Sequence, residues 1–459
     1  MKSELVRSDS GRSYFGTPRE TGERRVTSSR GGAVVHTARQ GDERLTQQFL
    51  TQAGYPEVAA EHLAQIERPG YDASERLLLR HGSRILAHLR CYPRSTRLAH
   101  QFFAMTQLCD WVAQGGIPGE QLASVWDTAQ VAARTEGVWG LLTSCRPPAG
   151  EASGNWVMVR QPPWYELTPT RLLAHLNHTR ASRAVAPALL ARGDKPPIQV
   201  RVWRQVEQAA LRRLYQRHAL PHWGVQQRTD DYWRWLIARR GFDDIYVAVE
   251  GTEDTGFDDP DHAIVGYAVL RGHHVVEWVG EEPRVFRRFL RRLCQDAMEH
   301  DVVSLRLPLP WGPPAAVRRC RELLEMAGRP APAMFAWRAK MFHPLRFLDS
   351  LRPLIAARAE SGDHRHGCEL GFEVHGRRFL LTVEGGEAHL LPDRLGRSHL
   401  RLDCRDLLGL LLGTVTVTEL LEEERVVAST RLARELASLL FPPIDWSISP
   451  WDSLPSLEA

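Results

Sequence analysis

Lysine is nearly absent from this chain. Of 459 residues, 59 are basic and 55 acidic, and almost all of the positive charge is arginine. The net charge of +4 argues against a nucleic-acid partner, because such proteins concentrate basic charge on one face. The arginine bias reads as GC-rich coding rather than a phosphate-binding design. Paired cysteines are also missing. Seven stand singly at 91, 109, 145, 294, 320, 368 and 404. An odd, scattered set points to reduced thiols in a cytosol and away from disulfides or zinc. No apolar run is long enough to span a bilayer, and the opening MKSELVRSDSGRSYFG has no apolar core of a secretory signal. A cytoplasmic protein with no membrane span and no metal is expected. HRHGC (364–368) has too few ligands for a metal. TEDTGFDDPDH (252–262) lacks the twelfth-position Glu and helical flanks of a calcium loop.

What is present is globular: 43% hydrophobic and 25% charged residues, at a length suited to two to four domains. Residues 1–32 are rich in Ser, Gly, Arg and Thr without apolar periodicity, and read as a disordered basic tail. A mixed α/β pattern follows. RILAHLRCY (84–92), HQFFAMTQLCDWVA (100–113), VWGLLTSC (138–145) and WVMVRQ (156–161) read as strands, and GEQLASVWDTAQVAARTEG (119–137) as a long one-faced helix. A second block opens with IQVRVW. It continues with the helix TDDYWRWLIARRG, for which Thr229 is a suitable N-cap and Gly241 a stop. Next come IYVAVEG, AIVGYAVLRG and HHVVEWVG as strands, the helix PRVFRRFLRRLCQDAMEHD, the strand VVSLRLPLP, another helix and AMFAWRAKMF as a closing strand. RILAHLRCYP parallels AIVGYAVLRG, and AARTEGVWGLLTSC parallels DAMEHDVVSLRLPLP. A divergent duplication at domain scale is the reading.

A third block starts near His343. HPLRFLDSLRPLIAARAE reads as an amphipathic helix. CELGFEVHG and RRFLLTVEGGEAHLL form a meander turning at Gly-Gly. SHLRLDC reads as a strand, and three short helices follow, including DLLGLLLG and ELASLLF, apolar enough for a lipid tunnel or an ordinary core.

This order, carried by IYVAVEG with AIVGYAVLRG, by CELGFEVHG and LGRSHLRLDCRDLLGLLLG, and by the ending DWSISPWDSLP, resembles the enhanced-intracellular-survival type of GNAT acetyltransferase. The resemblance implies an α/β (α+β) fold: tandem GNAT-like mixed-sheet domains at 33–178 and 195–342, the second degenerate, and a sterol-carrier-like domain at 343–459. It also implies acetyl-CoA as co-substrate, a small-molecule or peptide amine as acceptor, a possible lipid in the third domain, and possible homo-oligomers.

Acetyl transfer needs backbone amides at a helix N-terminus for the pyrophosphate, a backbone donor for the thioester carbonyl, a base and an acid. The cradle is expected along 110–124, with Trp111, Val112, Ala113, Gly115, Gly116, Gly119, Gln121, Ala123 and Ser124 binding the co-substrate. The family pattern Arg/Gln-x-x-Gly-x-Gly/Ala is altered: Ala123 fills the last position, Gln121 replaces the central glycine, Pro118 replaces the arginine, and Glu120 adds a negative charge. Asp110 is the candidate base, or else a solvent-side strand carboxylate. No tyrosine follows VWGLLTSC, so Tyr165 in QPPWYEL is the nearest candidate acid, or else a packing residue. The resemblance also brings the C-terminal carboxylate, here of Ala459, into the site, and assigns acceptor choice to a groove between the first and third domains. The second block, with only PRV between its strand and helix, is expected to be structural. A catalytically inactive, GNAT-derived ligand-binding or scaffold protein is the alternative.

Overall fold

The structure, a computed structural model, describes residues 26–28, 32–148, 155–184, 196–251, 263–362 and 367–454. Nearly all of the N-terminal tail, the acidic loop 252–262, His364, His366 and Ala459 lie outside the described residues.

Three sheets form the protein. The first runs β1 (Val26–Ser28), β2 (Val34–Thr37), β3 (Arg76–His81), β4 (Arg84–Leu98), β5 (Gln101–Ala113), β6 (Gly140–Thr143), β15 (Arg338–Met341), β7 (Val157–Met158). The second runs β14 (Gly328–Ala331), β8 (Trp164–Leu167), β13 (Leu305–Pro308), β12 (His274–Gly280), β11 (Ile264–Arg271), β10 (Asp244–Glu250), β9 (Ile198–Val202). The third runs β18 (Glu387–Pro392), β17 (Arg377–Glu384), β16 (Cys368–Val374), β19 (His399–Leu402), β20 (Val427–Ala428).

The duplication is visible in the pairing. β4 and β5 are antiparallel and β5 and β6 parallel, with α3 (Gly119–Thr135) between β5 and β6. β11 and β12 are likewise antiparallel and β12 and β13 parallel, with the helix Pro283–Glu299 in the equivalent place. Each helix lays its apolar stripe on its own sheet. Val125, Trp126, Ala129 and Ala133 meet Leu77, Leu79, Ala87 and Leu89; Val285, Phe286, Phe289 and Leu293 meet Val275 and Trp278.

Two strands cross the expected boundary. β8 pairs with β13 and β14 of the second sheet, although it precedes residue 178. β15, read above as closing the second block, pairs with β6 and β7 of the first. Short apolar strands carry no local mark of which sheet edge they will join, so this exchange is settled only by tertiary pairing. The third block's first helix is two, Pro344–Ser350 and Arg352–Ser361. Pro353 lacks the amide needed to continue a helix but suits the start of the next one. At Gly241 no stop is needed: the preceding helix ends at Ala238 with Arg239 as its cap. Thr229 does cap its start, accepting from the Tyr232 amide.

The first and third modules share one continuous core, in which Phe103 and Phe347 meet edge-on at 5.5 Å. The two modules meet there through apolar packing. The junction with the second module is different, because buried polar residues gather there.

Candidate active site

The end of β5 and the start of α3 form an open turn. Methyl groups on Gly115, Gly116 or Gly119 would meet no atom within 4 Å, and Gly116 takes φ +80°, which suits glycine. Pro118 holds the N-cap position and supplies no capping side chain. The Gly119 and Glu120 amides at the helix start therefore remain available to an anion. The sequence pattern has no arginine here, but Arg84 on β4 brings one, its Nη2 donating to Gln114 Oε1 at 2.7 Å. Glu120 is exposed at the first turn. Gln121 lies in that turn too, its amide on Pro118 O and its carbonyl accepting from Ser124 Oγ at 2.6 Å. Ala123 and Ser124 are half-buried along α3.

β5 and β6 pair from Met105–Gly140 to Leu108–Thr143, and β5 then continues alone beside β4. In that stretch the register with β4 slips, so that Asp110 and Trp111 together face Leu89. This is a bulge, with Asp110 at φ +53°. His88 holds it in place. Arg76 Nη1 lies 2.9 Å from His88 Nε2 and can only donate, so Nε2 accepts and Nδ1 donates to the Asp110 carbonyl at 2.8 Å. The ring is neutral: burial, then the Arg76 charge, hold its pKa well below the usual histidine range.

The bulge turns the Trp111 amide toward the gap between the parting strands, where it faces the Cys145 sulfur. Burial raises the Cys145 pKa, and the amide partly opposes that. The Trp111 ring packs edge-on against Trp126 at 5.8 Å. Ala113 and Ile117 lean on the same core, whereas Val112 is buried in the cluster under α1 (Glu43–Gln52) and α2 (Pro56–Ile66). Asp110 is not an isolated carboxylate among apolar neighbours: Arg90 Nε lies 3.1 Å from its Oδ2.

The face of β4 opposite α3 carries His88, Arg90, Tyr92, Arg94 and Thr96 at alternate positions, all buried. This period-two polar series is legible in the sequence but ordinarily marks a solvent face. Here it is roofed by the second module and the C-terminal segment. Gln226 Nε2 donates to Tyr92 OH at 2.6 Å, and the Arg97 amide to Val225 O at 2.8 Å. Gln107 Nε2 donates to Ser453 Oγ at 3.4 Å, and Leu454 packs in one cluster with Tyr92 and Cys109. Arg228 anchors that segment, binding Glu277 at 2.9 and 2.6 Å and Asp452 at 2.9 and 3.0 Å. Burial works against its charge, but the two carboxylates outweigh burial and hold Arg228 charged.

Tyr165 stands elsewhere. It lies on β8 in the core of the second sheet, its hydroxyl donating to Glu325 Oε1 at 3.3 Å. Strand exchange carries it out of the first module, so the structure does not bring it together with Asp110. Ala459 lies five positions beyond Leu454, outside the described residues.

The second junction is sealed. Gly280 N donates to Trp311 O and Trp311 N to Trp278 O, both at 3.0 Å. A methyl on Gly280 would come within 2.6 Å of Phe286, and one on Gly312 within 2.3 Å of the Gly280 carbonyl.

Among the described residues no group of three or more His, Cys, Asp or Glu could hold a metal, and no helix is long and apolar enough to cross a membrane.

An antiparallel pair with a bulge, a helix and a parallel strand, twice over with the junction open only in the first copy and followed by an α+β module, make the fold of tandem GCN5-related N-acetyltransferases of the enhanced-intracellular-survival type. Residues 371–446 match the family of sterol carrier protein domains. Solved structures extend the likeness to most of the chain. A conserved protein from Enterococcus faecalis V583, described as a probable N-acyltransferase, superposes with TM-score 0.63 at 11% identity, over 90% of this chain and 99% of that one. A GCN5-related N-acetyltransferase from Anabaena variabilis gives 0.61 at 14%, over 91% and 99%. Eis1 from Mycobacterium abscessus gives 0.56 at 14%, over 91% and 99%. No curated protein sequence matches the chain.

Proposed function

We propose that the first module transfers an acyl group, most simply acetyl, from acyl-CoA to an amine. The observation that carries this is the open, uncapped glycine turn where β5 parts from β6. The residues fit the co-substrate's anionic half: the amides of the turn and the first turn of α3 would hold the pyrophosphate, with Arg84 beside them. Acyl-CoA supplies an electrophilic thioester whose carbon the amine attacks. The Trp111 amide is the chain's donor for the carbonyl oxygen, and His88 keeps the bulge in the conformation that presents it. Asp110, committed to Arg90, serves better to position than to accept a proton.

One observation favours the alternative of a retired, ligand-binding module: the Cys145 sulfur already faces the Trp111 amide. Titration calorimetry with acetyl-CoA and longer acyl-CoAs, with Gly119→Leu as the control, separates the two. Binding lost in that variant together with thiol release from acetyl-CoA on adding amines supports the transferase reading, and binding without release supports the retired module. No binding at millimolar acyl-CoA removes the transferase reading.

A further inference from the structure

We propose that the acceptor of this site carries a carboxylate as well as its amine, and that Arg76 and Arg90 read it beside the Asp110 bulge. This rests on the transferase reading and names its substrate class.

The charges of the roofed β4 face do not balance on the first module's side. Arg68, Arg76, Arg90 and Arg94 are all at most 7% exposed. Arg68 is paired with Glu75 and Arg90 with Asp110, while Glu61 is engaged by Arg239 at 2.9 Å. Neither Arg76 nor Arg94 has a carboxylate within ion-pair distance among the described residues. Arg76 is 1% exposed; the Tyr71 hydroxyl beside it and the Asp110 charge partly sustain its own charge, while its Nε and Nη2 and the Nη1 of Arg90 make no hydrogen bond of good geometry. Tyr71 lies close by, its ring centroid 5.9 Å from the Arg76 guanidinium. A buried cation without a counter-charge is costly, and an arginine fork matches a carboxylate.

Position and chemistry agree. Arg76 and Arg90 are cross-strand partners on β3 and β4, hence near neighbours on one face. That face lies across the sheet from α3, where the glycine turn leads. Donor and acceptor would approach from opposite faces and meet at the bulge. Cationic surroundings also disfavour a protonated amine, which favours the neutral nucleophile where Asp110 is already paired. The amine nitrogen bonds to the thioester carbon, the C–S bond breaks, and the amine's lost proton leaves with the thiol. A polycationic amine would be repelled. The second module's buried arginine is the contrast: every nitrogen of Arg228 has an acceptor, so it is complete as it stands.

Lysine and 1,5-diaminopentane differ only in the α-carboxylate and make the test. Binding to the full chain is measured by calorimetry, and turnover by thiol release from acetyl-CoA. Lysine is expected to be favoured about tenfold in both. Arg76→Gln, which can still donate to His88, should remove that preference, weakening lysine binding while the diamine, no longer repelled by that charge, binds as well or better. Diamine binding as tight as lysine's, or no binding of either, overturns the proposal on the wild-type chain alone. Equal losses for both ligands in the variant overturn it as well. Carboxylate-dependent binding with no thiol release from any pairing overturns the transferase reading and leaves the anion site standing.

Discussion

The two strand–helix junctions descend from one arrangement and use glycine for opposite ends. In the first, Gly115, Gly116 and Gly119 border open space; in the second, Gly266, Gly280 and Gly312 let backbones and aromatic rings touch. The first gap faces a lone thiol, and the second is closed by a reciprocal pair of backbone hydrogen bonds around Trp311. The buried arginines divide in the same way. Arg228 is saturated by Glu277 and Asp452, whereas Arg76 keeps unused donors. One copy is thus closed by packing, whereas the other keeps an uncapped helix start and an arginine with unused donors.

The largest effect that would sharpen this contrast is expected at Arg228. Arg228→Met leaves Glu277 and Asp452 buried without their cation and should cost about 3–5 kcal/mol, seen in urea unfolding; a loss below about 1 kcal/mol would break the contrast. Next, Gly312→Ala or Gly280→Ala forces a methyl into the sealed junction and should cost roughly 1–3 kcal/mol. Gly119→Ala, at a first-turn position with open space, should leave stability equal or slightly higher, while acyl-CoA affinity measured by calorimetry falls several-fold. If the two glycine classes respond alike, the junctions are not functionally distinct.

A pH effect follows from His62 on α2. Burial, then Arg76, lower its pKa to about 4. An unfolded histidine titrates near 6.5, so between those values the unfolded chain binds more protons. Stability contributed by His62 is complete above about 6.5 and is lost as pH falls through about 4. His62→Gln should flatten that part of the denaturation-midpoint profile. The smallest effect is expected from Cys145→Ala, which frees the Trp111 amide and should strengthen acyl-CoA binding by a few-fold; weaker binding would give the thiol a supporting role instead.

Much of the fold was legible. The helix 119–137 and the strands around it followed from periodicity, and the duplication from element order. The glycine turn was legible as well, since its residues are contiguous. Tyr165 was not: its neighbours in QPPWYEL give no sign that the strand leaves for the other sheet. Nor were Arg84, Arg76 and Cys145, which reach the site from separate elements. The alternation from His88 to Thr96 was visible, but local pattern cannot distinguish a polar face meeting water from one meeting another module.

The amino-acid order by itself determined the repeated strand–helix–strand units, the apolar stripes that bury them and the glycines that loosen one turn. These rest on interactions within a few residues or on burial common to any such helix or sheet. Tertiary structure alone decided which sheet β8 and β15 complete, that the polar face of β4 meets the second module rather than water, and that its arginines are enclosed there. Those outcomes depend on pairings between residues far apart in the chain, and the cost of an unpaired charge appears only once another surface has taken its water away.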